Sequence, residues 1–108
     1  EHDIPRIQYA AARAMYQLSP DRQVANQYGD RLVRALSNDD LQLRRAVLAD
    51  LGAIGYLPAA EAIAQTLAEN SLKLISLKGL LEKQLQPDAP AVLSAGAIQV
   101  MTLMDELL

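Results

Sequence analysis

Apolar residues recur along this chain at intervals of three and four, the spacing of a helix with one buried face. Ile7, Ala11, Ala14, Met15 and Leu18 form the first such stripe. Pro5 suits a first helical turn, so a helix is predicted over residues 5–18. Ser19-Pro20-Asp21 stops it. Ala25, Tyr28, Leu32, Val33 and Leu36 mark a second helix over 22–36. Gly29 in its middle costs about 1 kcal/mol against Ala, which predicts a kink or a late start. Asn38-Asp39-Asp40 supplies capping side chains for a third helix over 40–54. That helix should bury Leu43, Val47, Leu51 and Ile54, and Gly55 should end it in the left-handed conformation. A fourth is expected over 58–68 with Ile63 and Leu67 inward. A fifth, capped by Asn70-Ser71 and reaching about residue 85, should bury Leu74, Leu77, Leu80 and Leu81. The stretch Gln86-Pro87-Asp88-Ala89-Pro90 reads as a break. A last helix over 91–107 carries Leu93, Ile98, Met101, Leu103, Met104 and Leu107. No convincing period-two run is present, so no sheet is predicted.

The helices repeat. The run from Asp30 to Leu36 matches the run from Glu61 to Leu67, 31 positions on, and the same shift sets Leu43 on Leu74. A shift of 36 sets Ile7 on Leu43 and Met15 on Leu51. Two helices per unit at such a period predict an all-α superhelix of stacked helix pairs, about six helices in one domain spanning 1–108. An ordinary helical bundle is the alternative. In the stack, the first helix falls on the second member of a pair and lacks its own first member. Its outer apolar surface should therefore be exposed or covered by another copy.

Composition narrows the chemistry. At 108 residues and 11.8 kDa the chain has the size of one domain, with 51% hydrophobic and 21% charged residues. There is no Cys, which excludes disulfides, thiolate metal sites and a thiol nucleophile. The one His, His2, argues against an imidazole metal cage or a catalytic triad. A net charge of −3 and a pI near 5.0 argue against a general nucleic-acid binder. No apolar run approaches the ~18 residues of a membrane span. The chain opens on Glu1, which reads as a piece of something longer.

Residues 38–55, NDDLQLRRAVLADLGAIG, resemble the second helix of a HEAT-like repeat. The acidic turn caps the helix, Leu43 enters the core, Arg44 can reach acidic groups in neighbouring turns, and Ala46 and Gly52 allow close helix contact. Gln8 and Ile75 stand where Arg44 stands, so no continuous arginine ladder is expected. More narrowly, nearly the whole chain resembles the C-terminal part of the E-type subunits of the E/F-type phycocyanobilin lyases. The likeness lies in IQYAAARAMYQL at 7–18, DLGAIGYLPAAEAIA at 50–64, ENSLKLISLKGLL at 69–81 and VMTLMDELL at 100–108. The resemblance implies a cyanobacterial, cytoplasmic protein associated with phycobilisome assembly and paired with an F-type subunit. Their complex attaches phycocyanobilin through a thioether to a cysteine of the phycocyanin α-subunit. Phycocyanobilin would be a substrate, with no cofactor bound permanently. The acceptor thiol belongs to the substrate protein, so a chain without Cys fits. Its work would be to hold bilin and apoprotein in register.

Arg6, Tyr9, Arg13 and Tyr16 lie at i, i+3, i+7 and i+10 of the first helix, and the repeat sets Arg45 under Tyr9. Second helices of stacked pairs line a concave surface, so these five residues are the candidate binding face. Arginine suits the propionates and tyrosine a flat tetrapyrrole or a protein partner. The competing reading is a solvated helix face with two packed tyrosine rings. Lys73 and Lys78 read as surface lysines, with an acidic partner as the alternative. Asp39 and Asp40 read as cap and dipole partners rather than a carboxylate pair for acid–base work. Met101 and Met104 read as core, or as an apolar surface for a partner. Asp105 and Glu106 oppose the dipole of the last helix, which suggests that this end continues or docks elsewhere. From the residues alone, a non-catalytic interaction module stands beside the lyase reading, because no cluster here performs catalysis unaided.

Overall fold

The computed structural model describes residues 3–84 and 95–108. Its elements are α1 (Asp3–Leu18), α2 (Arg22–Ala35), α3 (Leu41–Ile54), a 3₁₀ turn (Leu57–Ala59), α4 (Ala60–Gln65), α5 (Asn70–Gln84) and α6 (Ala95–Leu107). No strand occurs among the described residues. The expected break at 86–90 and the start of the last helix, with Leu93, lie outside them.

The caps act as their residue types require. Asp21 accepts from the Gln23 amide at 2.9 Å and Asp40 from the Gln42 amide at 2.8 Å. Gly55 takes φ 69°, the left-handed conformation that closes α3. Gly29 introduces no late start: α2 runs through it, because the Tyr56 ring lies where a Cβ would stand, 2.8 Å away.

The helices stack in two rows, α1, α3 and α5 in one and α2, α4 and α6 in the other, with each helix touching its row neighbour or the next row. The result is a slab of 46 × 35 × 17 Å. Its core is a continuous layer between the rows, built on Leu32, Val47, Leu48, Leu51, Ile63, Leu77, Leu80 and Val100. All four expected positions of α3 are buried. Leu32 and Ile63, matched by the 31-residue shift, are both fully buried.

Elsewhere the faces differ from expectation. In α1 the inward residues are Ala12 and, in part, Tyr9 and Tyr16, whereas Ile7 is 66% exposed and Ile4, Met15 and Leu18 also face out. These four side chains form an apolar face that no described helix covers. The fourth helix is shorter than predicted. Thr66 leaves the helix at φ −65°, ψ 155°, and Leu67, expected inside, is 78% exposed. The reason is tethering. The Thr66 hydroxyl donates to the Leu36 carbonyl at 2.7 Å, Arg44 donates to the Leu67 carbonyl at 2.8 Å, and Lys73 donates to the Ala64 carbonyl at 2.9 Å. Arg44 thus binds carbonyls, those of Asn38 and Asp39 included, rather than the acidic groups expected. Lys73 is not a surface lysine; it is buried in α5 with Ser76, Leu77 and Leu80. Leu74 and Leu81 are only half-buried, and Ile98 is 52% exposed, because α6 buries Ala97 and Val100 instead.

Candidate functional site

The first row of helices carries the candidate residues. Arg13 reaches from α1 to α3, where its Nη1 meets Asp50 Oδ1 at 2.9 Å. Arg45 reaches from α3 to the start of α5 and grips Glu69 with both Nε (3.2 Å) and Nη2 (2.6 Å). Each ion pair therefore staples one helix to the next along the row. The Arg13 and Arg45 side chains remain 40% and 33% exposed.

The tyrosines serve the fold. The Tyr9 hydroxyl accepts from Asn38 Nδ2 at 3.2 Å. The Tyr16 ring meets Tyr56 edge to face, centroids 5.5 Å apart at 77°, and the Arg22 guanidinium lies 4.9 Å over it. Both rings pack against the core. Arg6 is exposed and makes no hydrogen bond or ion pair among the described residues. The structure thus brings Arg13 and Arg45 to half-buried positions on neighbouring helices of one row and turns Tyr9 and Tyr16 partly inward. Sequence reasoning missed the counter-ions Asp50 and Glu69. Their signal was an acid on the following helix of the row for each arginine.

The two carboxylates differ in environment. Burial pushes the Asp50 carboxyl up from its ordinary value of 3.8, and this outweighs the opposing hydrogen bond and charge of Arg13. Glu69, exposed, is held below its ordinary value of 4.5 by its hydrogen bond from Arg45. Deeper in, Tyr56 donates to Asp30 Oδ1 at 2.6 Å. Burial first, and then that carboxylate, raise the Tyr56 phenol well above its ordinary 10.0.

Nothing among the described residues assembles into an acid–base or nucleophilic centre, and no group of three His, Asp or Glu is placed to hold a metal. No described helix is long and apolar enough to cross a membrane. What the row offers is guanidinium groups in surface ion pairs. The Arg45–Glu69 pair is solvent-screened, so an incoming carboxylate can take over its arginine at small cost.

Two stacked rows of helices, with an Asp-capped α3 in the middle of one row, define a HEAT-like solenoid. Over its whole length the chain matches one part of the phycocyanobilin lyase alpha subunits. It is 78% identical over its whole length to the phycocyanobilin lyase subunit alpha of Microchaete diplosiphon and 73% identical to that of Pseudanabaena tenuis. It spans 37% and 40% of those two proteins, well under half of their length. Among solved structures, the complex of CpcE and CpcF of phycocyanin lyase from Nostoc sp. PCC7120 matches 95% of this chain and 35% of that one. The TM-score is 0.82 and the identity 58%. No family model matches the chain.

Proposed function

We propose that this chain forms part of a heterodimeric bilin lyase, the E-type subunit paired with an F-type partner. The complex joins phycocyanobilin by a thioether to a cysteine of the phycocyanin α-subunit in the cytoplasm of a cyanobacterium, during phycobilisome assembly. Phycocyanobilin is its substrate rather than a resident cofactor. The observation that carries this reading is the 78% identity sustained over the entire chain. The chain contributes as a positioning wall. The face bearing Arg6, Tyr9, Arg13, Tyr16 and Arg45 holds bilin propionates or carboxylates of the acceptor protein in register, which supplies rate through orientation. Arg6 is free for this, Arg45 can exchange the exposed Glu69 carboxylate for an incoming one, and Arg13, held on the half-buried Asp50, presents the rest of its guanidinium. General acid or base help comes from outside the described residues, and this 108-residue piece alone attaches no bilin.

The test uses the full-length subunit with its partner, phycocyanobilin and the apo α-subunit, and follows the covalent red-absorbing adduct. Arg13→Gln with Arg45→Gln should slow attachment about tenfold or more, the loss of a charge-assisted hydrogen bond. Charge reversal is the poorer variant, since Glu at these positions would face Asp50 and Glu69. An unchanged rate sinks the assignment of the face. Adduct formation by the 108-residue piece alone sinks its accessory role. The absence of a reactive cluster among the described residues keeps a second reading, a purely binding solenoid. Under that reading the wild-type complex would associate and form no adduct.

A further inference from the structure

Arg45 and Glu69 meet as an arginine meets a bound carboxylate ligand. Arg45 offers one edge of its guanidinium, Nε and Nη2, to both oxygens of the Glu69 carboxylate, at 3.2 and 2.6 Å. An incoming propionate or side-chain carboxylate would dock on the same fork in the same way. Both side chains stay open to water, 33% and 46% exposed. The Arg13–Asp50 pair is built differently. It rests on one contact of 2.9 Å, and the Asp50 side chain, within α3, is only 16% exposed.

The turn that carries Glu69 does not depend on this pair. Arg44 donates to the Leu67 carbonyl at 2.8 Å, and Lys73 to the Ala64 carbonyl at 2.9 Å. The Glu69 carbonyl accepts from the amides of Leu72 and Lys73 at 3.1 and 3.2 Å, which sets Glu69 at the mouth of α5. A carboxylate displaced from Arg45 therefore stays beside the positive end of the α5 dipole. Its release leaves the turn fastened and the charge in a favourable place. We infer that Glu69 is an internal competitor: it holds Arg45 until a carboxylate of the bilin or of the acceptor protein takes its place, and so sets how tightly the face binds. This rests on the reading of that face as the positioning wall of a bilin lyase. The competitor also sharpens selection. A neutral group cannot repay the charge-assisted bond that it would break, whereas a carboxylate restores it. A pair that served only to join α3 to α5 would act the opposite way, since its loss would loosen the face and weaken binding.

The experiment uses the full-length subunit with its partner, and measures KM for phycocyanobilin and for the apo α-subunit separately. Glu69→Gln keeps the shape and removes the charge. It should lower one KM about two- to fivefold, the competition that an exposed ion pair exerts. A fall in KM for the bilin assigns the incoming carboxylate to a propionate, and a fall for the apo α-subunit assigns it to a side chain of the acceptor. The gain should shrink as salt rises, and it should vanish when Arg45→Gln is added, since only Arg45 links the competitor to the ligand. Two KM values unchanged or raised in Glu69→Gln overturn the inference, and so does a gain that survives in the double variant. A lower melting temperature of Glu69→Gln together with a raised KM makes the pair a fastening of the fold and overturns it too. If Arg45→Gln alone changes neither the rate nor either KM, the reading of the face falls and this inference with it. If Arg45→Gln slows attachment while Glu69→Gln lowers neither KM, the competitor falls alone.

Discussion

Gly79 of α5 lies against the backbone of Gly52 in α3, so closely that a Cβ at Gly79 would stand 2.8 Å from the Gly52 carbonyl carbon and 2.9 Å from its Cα. The obstacle is backbone, which no rotamer change can move. Glycine is needed here for approach, not for an unusual φ.

Gly79→Ala should therefore destabilise the chain by about 1–3 kcal/mol through overpacking, offset by up to about 1 kcal/mol of better helix propensity. Gly52→Ala should cost less, because its added Cβ would meet Ser76 at 3.1–3.2 Å. Urea unfolding of both variants checks the order. Equal stability for Gly79→Ala would mean that the α3–α5 contact is looser than described.

Tyr56 joins α2 to the turn before α4 through its hydroxyl on Asp30 and its ring on Gly29. Tyr56→Phe keeps the ring and should cost about 1–2 kcal/mol. The raised phenol gives a second readout. Tyr56 should stay protonated in solution more alkaline than its ordinary value would allow. The unfolded chain releases that proton first, so stability should fall as pH rises above 10.0. Ultraviolet titration of the wild type and of Tyr56→Phe tests this, and the late-ionising tyrosine must vanish in the variant.

How much of this was legible in the sequence depends on what ends each element. α3 was readable because its signals are local: Asp40 opens it, Gly55 closes it, and its apolar residues fall on one stripe. α4 was not, because side chains from distant positions end it, namely Arg44 and Lys73, together with the bond from Thr66 to Leu36. Periodicity showed two faces on α1, one apolar and one of Arg and Tyr. It could not show that rings and an ion pair would take the inward place while Ile7 and Met15 stayed outside. Likewise Leu74 and Leu81 read as core because a pattern does not say which apolar positions a described neighbour covers.

Lys73→Met should expose the cost of such tethering. It removes the donor to the half-buried Ala64 carbonyl near the end of α4, worth about 1 kcal/mol. Amide exchange should rise first in α4, which at six residues has little hydrogen bonding of its own. Loss spread evenly over all helices would contradict a local tether.

Asp50 offers a test of sign. Its folded pKa is raised, so between 3.8 and that higher value the folded state holds more protons than the unfolded one. This contribution therefore makes stability fall as pH rises through that window. Asp50→Asn imitates the protonated form, so it should remove this dependence and be neutral or mildly stabilising near pH 7, despite losing the ion pair. Thermal unfolding of both proteins from pH 3 to 7 checks it. A marked loss at pH 7 would mean that the attraction of Arg13 outweighs burial.

A slab 17 Å thick has no deep interior. Each helix leans on its neighbours, and no residue lies further than one helix from water. Such a molecule behaves as a zipper rather than a ball: its helices open one after another, and the α3–α5 seam opens last. A clamp at either end therefore stabilises everything behind it. A clamp on α5 and α6 would raise exchange protection most there, progressively less in α3 and least in α1. Its effect would then be written into the chain as a gradient of rigidity running back from the point of contact.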